Sequence, residues 1–459
     1  MLKDNILLDT DSYKLSHWTQ YPPNTTGMFS YLESRGGKYG QTVMFGLQPI
    51  LKRLEQGFTL EDIDEADAFA KAHGEPFNKK GWEDMFFAHK GKFPVKIRAV
   101  AEGSVVPVSN CLMTVESTDK RFFWVVSYLE TILMRVWYPI TVATQSWTIK
   151  QIIKGYLDRT SDDPEAELPF KLHDFGSRGV SSYESAQIGG AAHLVNFMGS
   201  DTMAGIRFAN YHYKHKMAAF SIPAAEHSTI TMWGREREVD AYRNMINQYG
   251  KTGPLYAVVS DSYDLYNAIT NLWGDKLKEE VLAAGGLLVV RPDSGNPTEV
   301  VLKATQLLAD KFGYTFNKKG FKVINGARII QGDGINEDSI RSILEAITSA
   351  GYSATNVAFG MGGALLQQIN RDTQKFAFKC SQATVDGQSV DVYKDPVTDK
   401  GKRSKRGRLD LVRLAVDNGK YKTVQGEAAM GSVLRTVFDN GSVTKEYTLE
   451  EIRARSVEG

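Results

Sequence analysis

The chain has 459 residues, of which 42% are hydrophobic and 24% are charged, so it can bury a large core and form roughly two or three domains of about 150 residues each. Its 55 basic and 54 acidic residues give a formal net charge of +1, which excludes a strong overall field for attracting nucleic acid or an anionic membrane. Its two cysteines, Cys111 and Cys380, are too few for a disulfide framework or a zinc cluster.

The first third of the chain has the pattern of a structural scaffold. Its N-terminus offers only a short apolar run at 6–8, whereas a secretory signal needs about 7 to 15 apolar residues. The most apolar segment, 122–142, is interrupted by Glu130 and Arg135 and therefore predicts a buried helix rather than a membrane span. We expect a cytoplasmic protein. Periodicity predicts strands at 28–33, 93–100 and 105–115, helices at 45–54 and 60–73, and one or two long helices over 121–157.

The polar, proline-broken segment at 160–167 is the best candidate domain boundary, and a different sequence pattern follows it. Apolar runs now end in Gly, Asp or Arg, and each precedes a helix-like pattern, as at 171–179, 219–227, 256–262, 287–295, 328–334 and 356–363. This recurrence is typical of parallel βα units. In a closed βα barrel the loops after the strands meet at one rim, so we expect a shared pocket for His227, Asp261, Arg291, Asp293 and Asp333.

The last part of the chain returns to short strands and hairpins. Strands are predicted near 376–383, 409–416 and 433–438, and Thr448 begins a capped final helix. We expect these strands to pair with those of the first third. The predicted fold class is therefore α/β, with an irregular βα barrel at 166–374 and a discontinuous α+β domain made from 1–165 and 375–459.

The segment 221–234 contains the candidate reactive centre. His227 lies between the carboxylate of Glu226 and the hydroxyls of Ser228 and Thr229, at a predicted strand-to-helix junction where Ser228 or Thr229 could cap the helix. For this histidine in isolation, a ring satisfied by a neighbouring carbonyl is the alternative. The surrounding βα loops favour a chemical role.

Two glycine loops and one charged turn suggest phosphate binding. The loops at 332–334 and 360–363 follow predicted strands, where bare backbone N–H groups can hold a phosphate, although tight turns alone are an equal alternative. The turn at 291–297 supplies the cation of Arg291 and the carboxylate of Asp293. That pair can clamp a diol and a phosphate, or hold magnesium through the substrate's oxygens, and a simple Asp-Ser-Gly turn is the alternative.

Three further side chains suit a planar ring that bears an amide. Such a ring could stack on Phe175 while Arg178 donates to its carbonyl and Asp201 accepts from its NH2 group. A ring that bears a carboxylate would be repelled by Asp201. The basic run at 402–408 is interpreted as a solvated loop or a lid over a polyphosphate, because the net charge near zero disfavours nucleic acid.

These segments together resemble the nicotinate/nicotinamide type II phosphoribosyltransferases over nearly the whole chain. The matching segments are 9–14, 20–24, 173–178, 223–230, 259–264, 291–297, 331–334, 378–381 and 402–405. The resemblance implies synthesis of nicotinamide mononucleotide and pyrophosphate from nicotinamide and phosphoribosyl pyrophosphate, in NAD salvage and with magnesium. It also implies a homodimer whose active sites lie at the subunit interface.

The resemblance also implies residue roles. Phe175 and Tyr13 of the partner subunit would sandwich the pyridine ring, while Arg178 and Asp201 would read the carboxamide. His227 would correspond to the histidine that ATP transiently phosphorylates, with Glu226 and Asp261 as neighbours in that step. Asp293 and Asp261 would hold magnesium, largely through substrate oxygens. The residues implied for ribose, phosphate and pyrophosphate are Arg291, Asp293, Gly332, Asp333, Gly362, Gly363, Arg371, Lys379 and Lys402.

Two other functions are weighed against this hypothesis. A nicotinate phosphoribosyltransferase would share the fold and chemistry, but its substrate carboxylate would meet the like charge of Asp201 at a cost of several kcal/mol. A noncatalytic barrel that senses phosphorylated metabolites would bind without turnover. The joint presence of His227, Asp293 and Lys379 weighs against the sensor.

Overall fold

The computed structural model describes residues 4–398, 403–414, 419–426, 428 and 431–457. The chain divides into two compact units. The terminal unit comprises Met1–Thr144, His212–His215 and Asn370–Gly459, and the central unit comprises Gln145–Tyr211 and Lys216–Ile369. These divisions follow Thr144 and Ile369, whereas the sequence-based bounds were set at 165/166 and 374/375.

Strands occur in both units. In chain order they are β1 (Thr25–Ser34), β2 (Gln41–Val43), β3 (Val95–Ala99), β4 (Val105–Pro107), β5 (Cys111–Ser117), β6 (Leu172–Asp174), β7 (Gly199–Ser200), β8 (Leu255–Val259), β9 (Leu287–Arg291), β10 (Tyr314–Phe316), β11 (Lys322–Ile324), β12 (Ala327–Gln331), β13 (Val357–Met361), β14 (Phe376–Val385), β15 (Gln388–Asp391), β16 (Leu409–Leu414), β17 (Lys420–Gln425), β18 (Arg435–Asp439) and β19 (Ser442–Val443).

The helices alternate with the strands most regularly in the central unit. In chain order they are α1 (Leu47–Gln56), α2 (Leu60–His73), α3 (Lys79–His89), α4 (Val125–Tyr128), α5 (Glu130–Met134), α6 (Trp137–Thr160), α7 (Pro164–Glu167), α8 (Tyr183–His193), α9 (Met203–His212), α10 (His227–Thr231), α11 (Glu238–Met245), α12 (Leu265–Asn267), α13 (Lys278–Ala284), α14 (Pro297–Phe312), α15 (Glu337–Ser349), α16 (Gly363–Leu366) and α17 (Leu449–Val457). Across the described residues, no helix is both long enough and apolar enough to cross a bilayer.

A seven-stranded antiparallel sheet organises the terminal unit. Its order is β15-β14-β1-β5-β3-β18-β19, so strands from the two ends of the chain pair as the sequence predicted. In β3 the buried residues Val95, Ile97 and Ala99 alternate with partly exposed Lys96 and Arg98, because successive side chains point to opposite faces. The central strand β1 is buried along most of its length.

Six parallel strands form the sheet of the central unit, in the order β7-β6-β13-β12-β9-β8. Their apolar stretches are nearly continuous, as expected where both faces are covered. Two isolated parallel bridges extend the pairing beyond the edge strands, because Phe220 pairs with Gly199 of β7 and Ala224 pairs with Ala257 of β8. The mixed α/β class and the separation into a parallel sheet and an antiparallel sheet are thereby confirmed.

The helix that follows β9 shows how sequence fixes these units. Asn296 accepts hydrogen bonds from the N–H groups of Thr298 and Glu299, and Pro297 occupies the first helical position, where its missing N–H costs nothing. Helix α14 then buries an apolar stripe that includes Val301 and Leu308. The cap therefore fixes the residue at which the loop after β9 ends and α14 begins, and α14 then packs back against the sheet.

Candidate active site

Most of the candidate residues of the central unit lie where its parallel strands end. Because the carboxyl ends of parallel strands share one edge of a sheet, the following loops are brought together. The residues at or directly after those ends are Asp174 and Phe175 (β6), Asp201 (β7), Asp261 (β8), Arg291 and Asp293 (β9), Gly332 and Asp333 (β12), and Gly362 and Gly363 (β13).

His227 begins the short helix α10 and faces two carboxylates. Its Nε2 lies 3.0 Å from Oδ1 of Asp261, and its Nδ1 lies 3.9 Å from Oδ2 of Asp293. An ionised carboxylate can only accept, so Nε2 carries the proton in the contact with Asp261. In the neutral ring, Nδ1 is then the nitrogen with a free lone pair.

The helix around His227 starts earlier than expected. Ser228 and Thr229 were predicted as possible caps, which is wrong: the N-cap is Glu226, and no side chain caps the helix. Ala225 donates its N–H to the carbonyl of Ala257 at 2.9 Å, which keeps the chain extended up to Glu226. Ser228 and Thr229 therefore fall in the first turn and hydrogen-bond to the carboxylate and the carbonyl of Glu226.

Asp261 connects His227 to the loop after β9. Its Oδ2 accepts the backbone N–H of Asp293 at 2.9 Å and the hydroxyl of Ser294 at 2.6 Å. Burial acts to raise the pKa of Asp261, but the hydrogen bonds from Ser294, His227 and Asp293 outweigh it and hold the pKa below its usual value. Asp261 is therefore ionised at neutral pH and has both oxygens occupied.

The carboxylate of Asp293 is less well satisfied. Its Oδ2 lies 3.8 Å from Nη2 of Arg291, and burial raises its pKa, with the negative charges of Asp261 and Asp333 adding to the rise and Arg291 opposing it. Arg291 also carries a buried Nε with no hydrogen-bond partner among the described residues. The loop thus presents one unsatisfied donor and a cluster of acids that a cation would relieve.

Phe175 forms a flat surface beside these charges. Its N–H donates to the carbonyl of Met361 at 3.0 Å, and its ring lies against Gly360 and Gly332. An added Cβ at Gly360 would lie 1.9 Å from Cε2 of the ring, whereas one at Gly332 would lie 3.5 Å away. Gly360 is therefore required for the position of the ring, a role that sequence reasoning missed because it assigned this glycine to a phosphate loop.

The loops after β6 and β7 are joined at Asp174 and Asp201. The N–H of Asp201 donates to the carbonyl of Asp174 at 3.0 Å, and the hydroxyl of Ser221 donates to Oδ1 of Asp201. The exposed guanidinium of Arg178 makes no hydrogen bond or ion pair within the described part of the chain. Arg178 and the second oxygen of Asp201 are thus available to a ligand.

Asp174 is a buried acid that sequence reasoning did not single out. Its Oδ1 accepts the N–H of Gly176 at 2.7 Å, which fixes the turn that follows Phe175. Burial raises its pKa to about 6, and the charge of Asp201 contributes to the rise. Asp174 thus positions two loops at the end of β6, because its carboxylate holds the turn after Phe175 and its backbone carbonyl holds Asp201.

A cavity of about 710 Å³ lies within the parallel sheet of the central unit. Its walls are mostly apolar, and His173 and Ser221 line it together with Arg328, Lys171 and Glu167 near the amino ends of the strands. Lys171 is ion-paired with Glu167 at 3.0 Å, and burial lowers its pKa. The space has room for an aromatic ring beside Ser221.

Several known proteins and protein families are similar to this chain. The nicotinate phosphoribosyltransferase (NAPRTase) family matches residues 170–442, and the N-terminal domain of nicotinamide phosphoribosyltransferase matches residues 5–97. A nicotinamide phosphoribosyltransferase from Xanthomonas campestris pv. campestris is 59% identical over 99% of this chain and 98% of its own length. This chain belongs to the nicotinamide phosphoribosyltransferase family. A second relative with that name, from Acinetobacter baylyi, is 31% identical over 98% of this chain and 97% of its own.

Two solved structures share the fold of this member of the nicotinamide phosphoribosyltransferase family. One is nicotinate-nucleotide pyrophosphorylase from Pyrococcus furiosus, with a TM-score of 0.65 over 100% of this chain and 96% of that chain. The other is human nicotinic acid phosphoribosyltransferase, with a TM-score of 0.56 over 100% of this chain and 93% of that chain. Each is 16% identical, so the likeness concerns the fold alone.

The remaining candidate residues lie in the terminal unit. Tyr13 is exposed in the 3-10 helix Ser12–Thr19, and Arg371 is exposed in the turn Arg371–Thr373. Lys379 lies on β14, where burial lowers its pKa. Lys402, together with residue 401 before it, lies outside the described residues, so only 403–408 of the basic run is described.

Proposed function

We propose that this chain transfers a phosphoribosyl group from phosphoribosyl pyrophosphate to nicotinamide, releasing nicotinamide mononucleotide and pyrophosphate in NAD salvage. The observation that carries the proposal is the free oxygen of Asp201, which lies on the loop joined to the Phe175 loop. This oxygen suits the NH2 group of a carboxamide and repels a carboxylate. Arg178, which has no partner among the described residues, would donate to the carboxamide oxygen.

The transfer requires positioning more than acid–base catalysis. The pyridine nitrogen uses its lone pair to form the bond to the anomeric carbon, and the bond from that carbon to the pyrophosphate oxygen breaks with its electron pair. A neutral pyridine nitrogen has no proton to lose, so no general base is needed. Phe175 would hold the ring by stacking, and the buried Nε of Arg291 would donate to the phosphates or the ribose.

Asp293 fits a magnesium ion better than Asp261 does. Both oxygens of Asp261 already accept hydrogen bonds, whereas Asp293 has a raised pKa in a cluster with Asp261 and Asp333. Carboxylate oxygens suit magnesium, which commonly takes one or two of them and completes its shell with phosphates and water. When bound there, the ion would neutralise charge on the leaving pyrophosphate.

The geometry of His227 supports a second reaction, transient phosphorylation by ATP. Nδ1 would attack the γ-phosphorus, forming an N–P bond while the bond to the β–γ bridging oxygen breaks and ADP leaves with that electron pair. Asp261 would stabilise the positive ring of the phosphorylated histidine by accepting the Nε2–H hydrogen bond that it already accepts in the free protein. Hydrolysis of the phosphohistidine would then couple ATP consumption to turnover. Glu226 is a neighbour whose carboxylate instead accepts from Ser228.

The same proposal includes four further features implied by the family: a closed barrel, a set of phosphate-binding residues, a homodimer and a cytoplasmic location. The parallel sheet would be the irregular barrel of type II phosphoribosyltransferases, closed by the segment 220–225 whose two bridges reach both edge strands. Gly332, Asp333, Gly362 and Gly363 would hold phosphate. A homodimer would bring Tyr13 of the partner subunit to the ring, and Arg371, Lys379 and Lys402 would contact the phosphates. The location would be cytoplasmic.

The test is a pyrophosphate-release assay with phosphoribosyl pyrophosphate and magnesium, run in parallel with nicotinamide and nicotinate for the wild type and Asp201→Ala. We expect turnover of nicotinamide alone and a drop of about 10- to 100-fold in kcat/KM for the variant, since one hydrogen bond from the substrate NH2 group to a carboxylate is lost. Preference of the wild type for nicotinate would overturn the role of Asp201. Binding of phosphoribosyl pyrophosphate without turnover would favour the sensor.

A further inference from the structure

Ser221 hydrogen-bonds to the side chain of Asp201, the residue proposed above to bind the amide of the substrate. Its hydroxyl donates to Oδ1 of Asp201, and Oδ2 of Asp201 has no hydrogen-bond or ion-pair partner within the described part of the chain. Ser221 follows Phe220, one of the two bridge residues beside the parallel sheet, and it lines the cavity inside that sheet. None of the roles proposed above includes Ser221.

The backbone around this contact is fixed on both sides. Ser200 donates its N–H to the carbonyl of Phe220 at 3.2 Å, and Phe220 donates its N–H to the carbonyl of Met198 at 2.8 Å. Asp201 in turn donates its N–H to Asp174 at 3.0 Å. With both main chains tied, the remaining freedom at Asp201 is rotation of its side chain, and the Ser221 hydroxyl removes that freedom.

We propose that Ser221 is a specificity-determining positioning residue, which orients Asp201 so that a single carboxylate oxygen faces the carboxamide of the substrate. This inference rests on the function proposed above. A carboxylate that rotates freely loses rotamer entropy when a ligand binds, whereas one held by a charge-assisted hydrogen bond is already in place.

The same hydrogen bond withholds a donor from the competing substrate. A serine hydroxyl has one hydrogen, and in this structure that hydrogen is committed to Asp201. A ring that bears a carboxylate would therefore meet the charge of Asp201 with no compensating donation from Ser221. Ser221 thus favours nicotinamide twice, because it presents an acceptor to the amide and denies a donor to the acid.

The experiment compares Ser221→Ala, Ser221→Thr, Asp201→Ala and the double variant Ser221→Ala/Asp201→Ala. For Ser221→Ala we expect KM for nicotinamide to rise about 5- to 10-fold, kcat to change less than about twofold, and the preference for nicotinamide over nicotinate to fall. Ser221→Thr keeps the hydroxyl and should restore the KM. In the Asp201→Ala background, removal of the Ser221 hydroxyl should have no further effect.

That double-variant cycle separates positioning from direct contact. If Ser221 touched the substrate itself, its loss would weaken binding equally in both backgrounds, and additive effects would overturn the proposal. An unchanged KM for Ser221→Ala would overturn it too. Ser349→Ala is the matched control, because Ser349 is an exposed serine that also donates to a carboxylate, that of Glu345 at 3.3 Å, on helix α15. A wild type that does not use nicotinamide would instead refute the proposed function, before any variant is compared.

Discussion

The Nε2 atom of His227 lies 3.0 Å from Oδ1 of Asp261, and the other oxygen of Asp261 holds the backbone N–H of Asp293 and the hydroxyl of Ser294. One carboxylate therefore fixes the imidazole and the loop after β9 at the same time. The contact also decides which ring nitrogen is open, because Nε2 donates to Asp261 and leaves the lone pair of Nδ1 free.

Asp261→Asn should lower the rate of histidine phosphorylation on the order of 100-fold, while transfer to nicotinamide in the absence of ATP falls much less. The asparagine amide can donate to Nε2, which places the ring proton on Nδ1 and blocks its lone pair; the positive ring also loses its counter-charge. Incorporation of label from γ-labelled ATP into acid-sensitive phosphoprotein measures the effect.

Two variants calibrate that measurement. His227→Ala should incorporate no label, and Ser294→Ala, which removes one donor to Asp261 but leaves the contact with His227, should lose less than about tenfold. Labelling of Asp261→Asn at the wild-type rate would show that the tautomer set by Asp261 is unimportant for this step.

Gly360→Ala should raise KM for nicotinamide by at least about tenfold, because the added Cβ occupies the position of the Phe175 ring, 1.9 Å from its Cε2. Steady-state kinetics with varied nicotinamide measure the change. Gly155→Ala is the control, since an added Cβ on helix α6 meets nothing within 4 Å. If the two variants have equal KM values, the ring is not held where the structure places it.

Local sequence patterns predicted a helix or strand correctly where one feature, such as a cap or a regular apolar spacing, was strong. Helix α2 (Leu60–His73) coincides with its predicted range, because Thr59 caps it and the apolar positions recur at helical spacing. The predicted single strand at 105–115 is two strands, β4 and β5, separated at Ser109, whose φ of 65° turns the chain. The segment 121–157, predicted as one or two long helices, begins as short pieces, and the long helix α6 starts at Trp137. Pro139 therefore falls in its first turn, where proline is tolerated.

Less of the candidate site than of the fold could be predicted from the sequence. The alternation of strand, polar loop and helix indicated which loops share an edge, and the structure brings His227, Asp261 and Asp293 together there. The partnership of Ser221 with Asp201, 20 positions apart, left no periodic signal. Nor could spacing show that Gly360 makes room for Phe175, because that contact depends on the register of β6 against β13.

Asp174→Asn should gain stability relative to the wild type as the pH rises from 5 to 7. The folded-state pKa of about 6 lies above the usual 3.8, so the folded protein holds this proton more tightly, and stability is lost as the pH rises toward 6. Removing the ionisation should spare about 1 kcal/mol over this range, or about 1 °C in Tm for a chain of this length. Paired thermal scans at several pH values measure the difference, and a constant gap in Tm between the two proteins would contradict the buried, ionising carboxyl.

The terminal unit contains a second buried acid with a structural task. Glu102 accepts the N–H groups of Gly46 and Gln48 at 3.0 and 2.7 Å, beside the first turn of α1, and the hydroxyl of Tyr213 at 2.8 Å. Burial raises its pKa, and the three donors oppose the rise. Its carboxylate thereby satisfies N–H groups at the start of α1 that have no partner within the helix, and it holds Tyr213 beside that helix end.

Glu102→Ala should destabilise the protein by about 3 to 5 kcal/mol, because three buried donors lose their acceptor at once. Glu102→Gln keeps one acceptor oxygen and should lose about half as much. Thermal unfolding followed by circular dichroism measures both, with Glu450→Ala as the control, since that side chain is 82% exposed and its ion pair with His215 is long, at 3.8 Å. We expect the Tm to be lowest for the alanine variant, higher for the glutamine variant and highest for the wild type, because this order follows the number of donors left unpaired. Equal Tm values for the alanine and glutamine variants would mean that the charge of Glu102, rather than its hydrogen bonds, holds the start of α1.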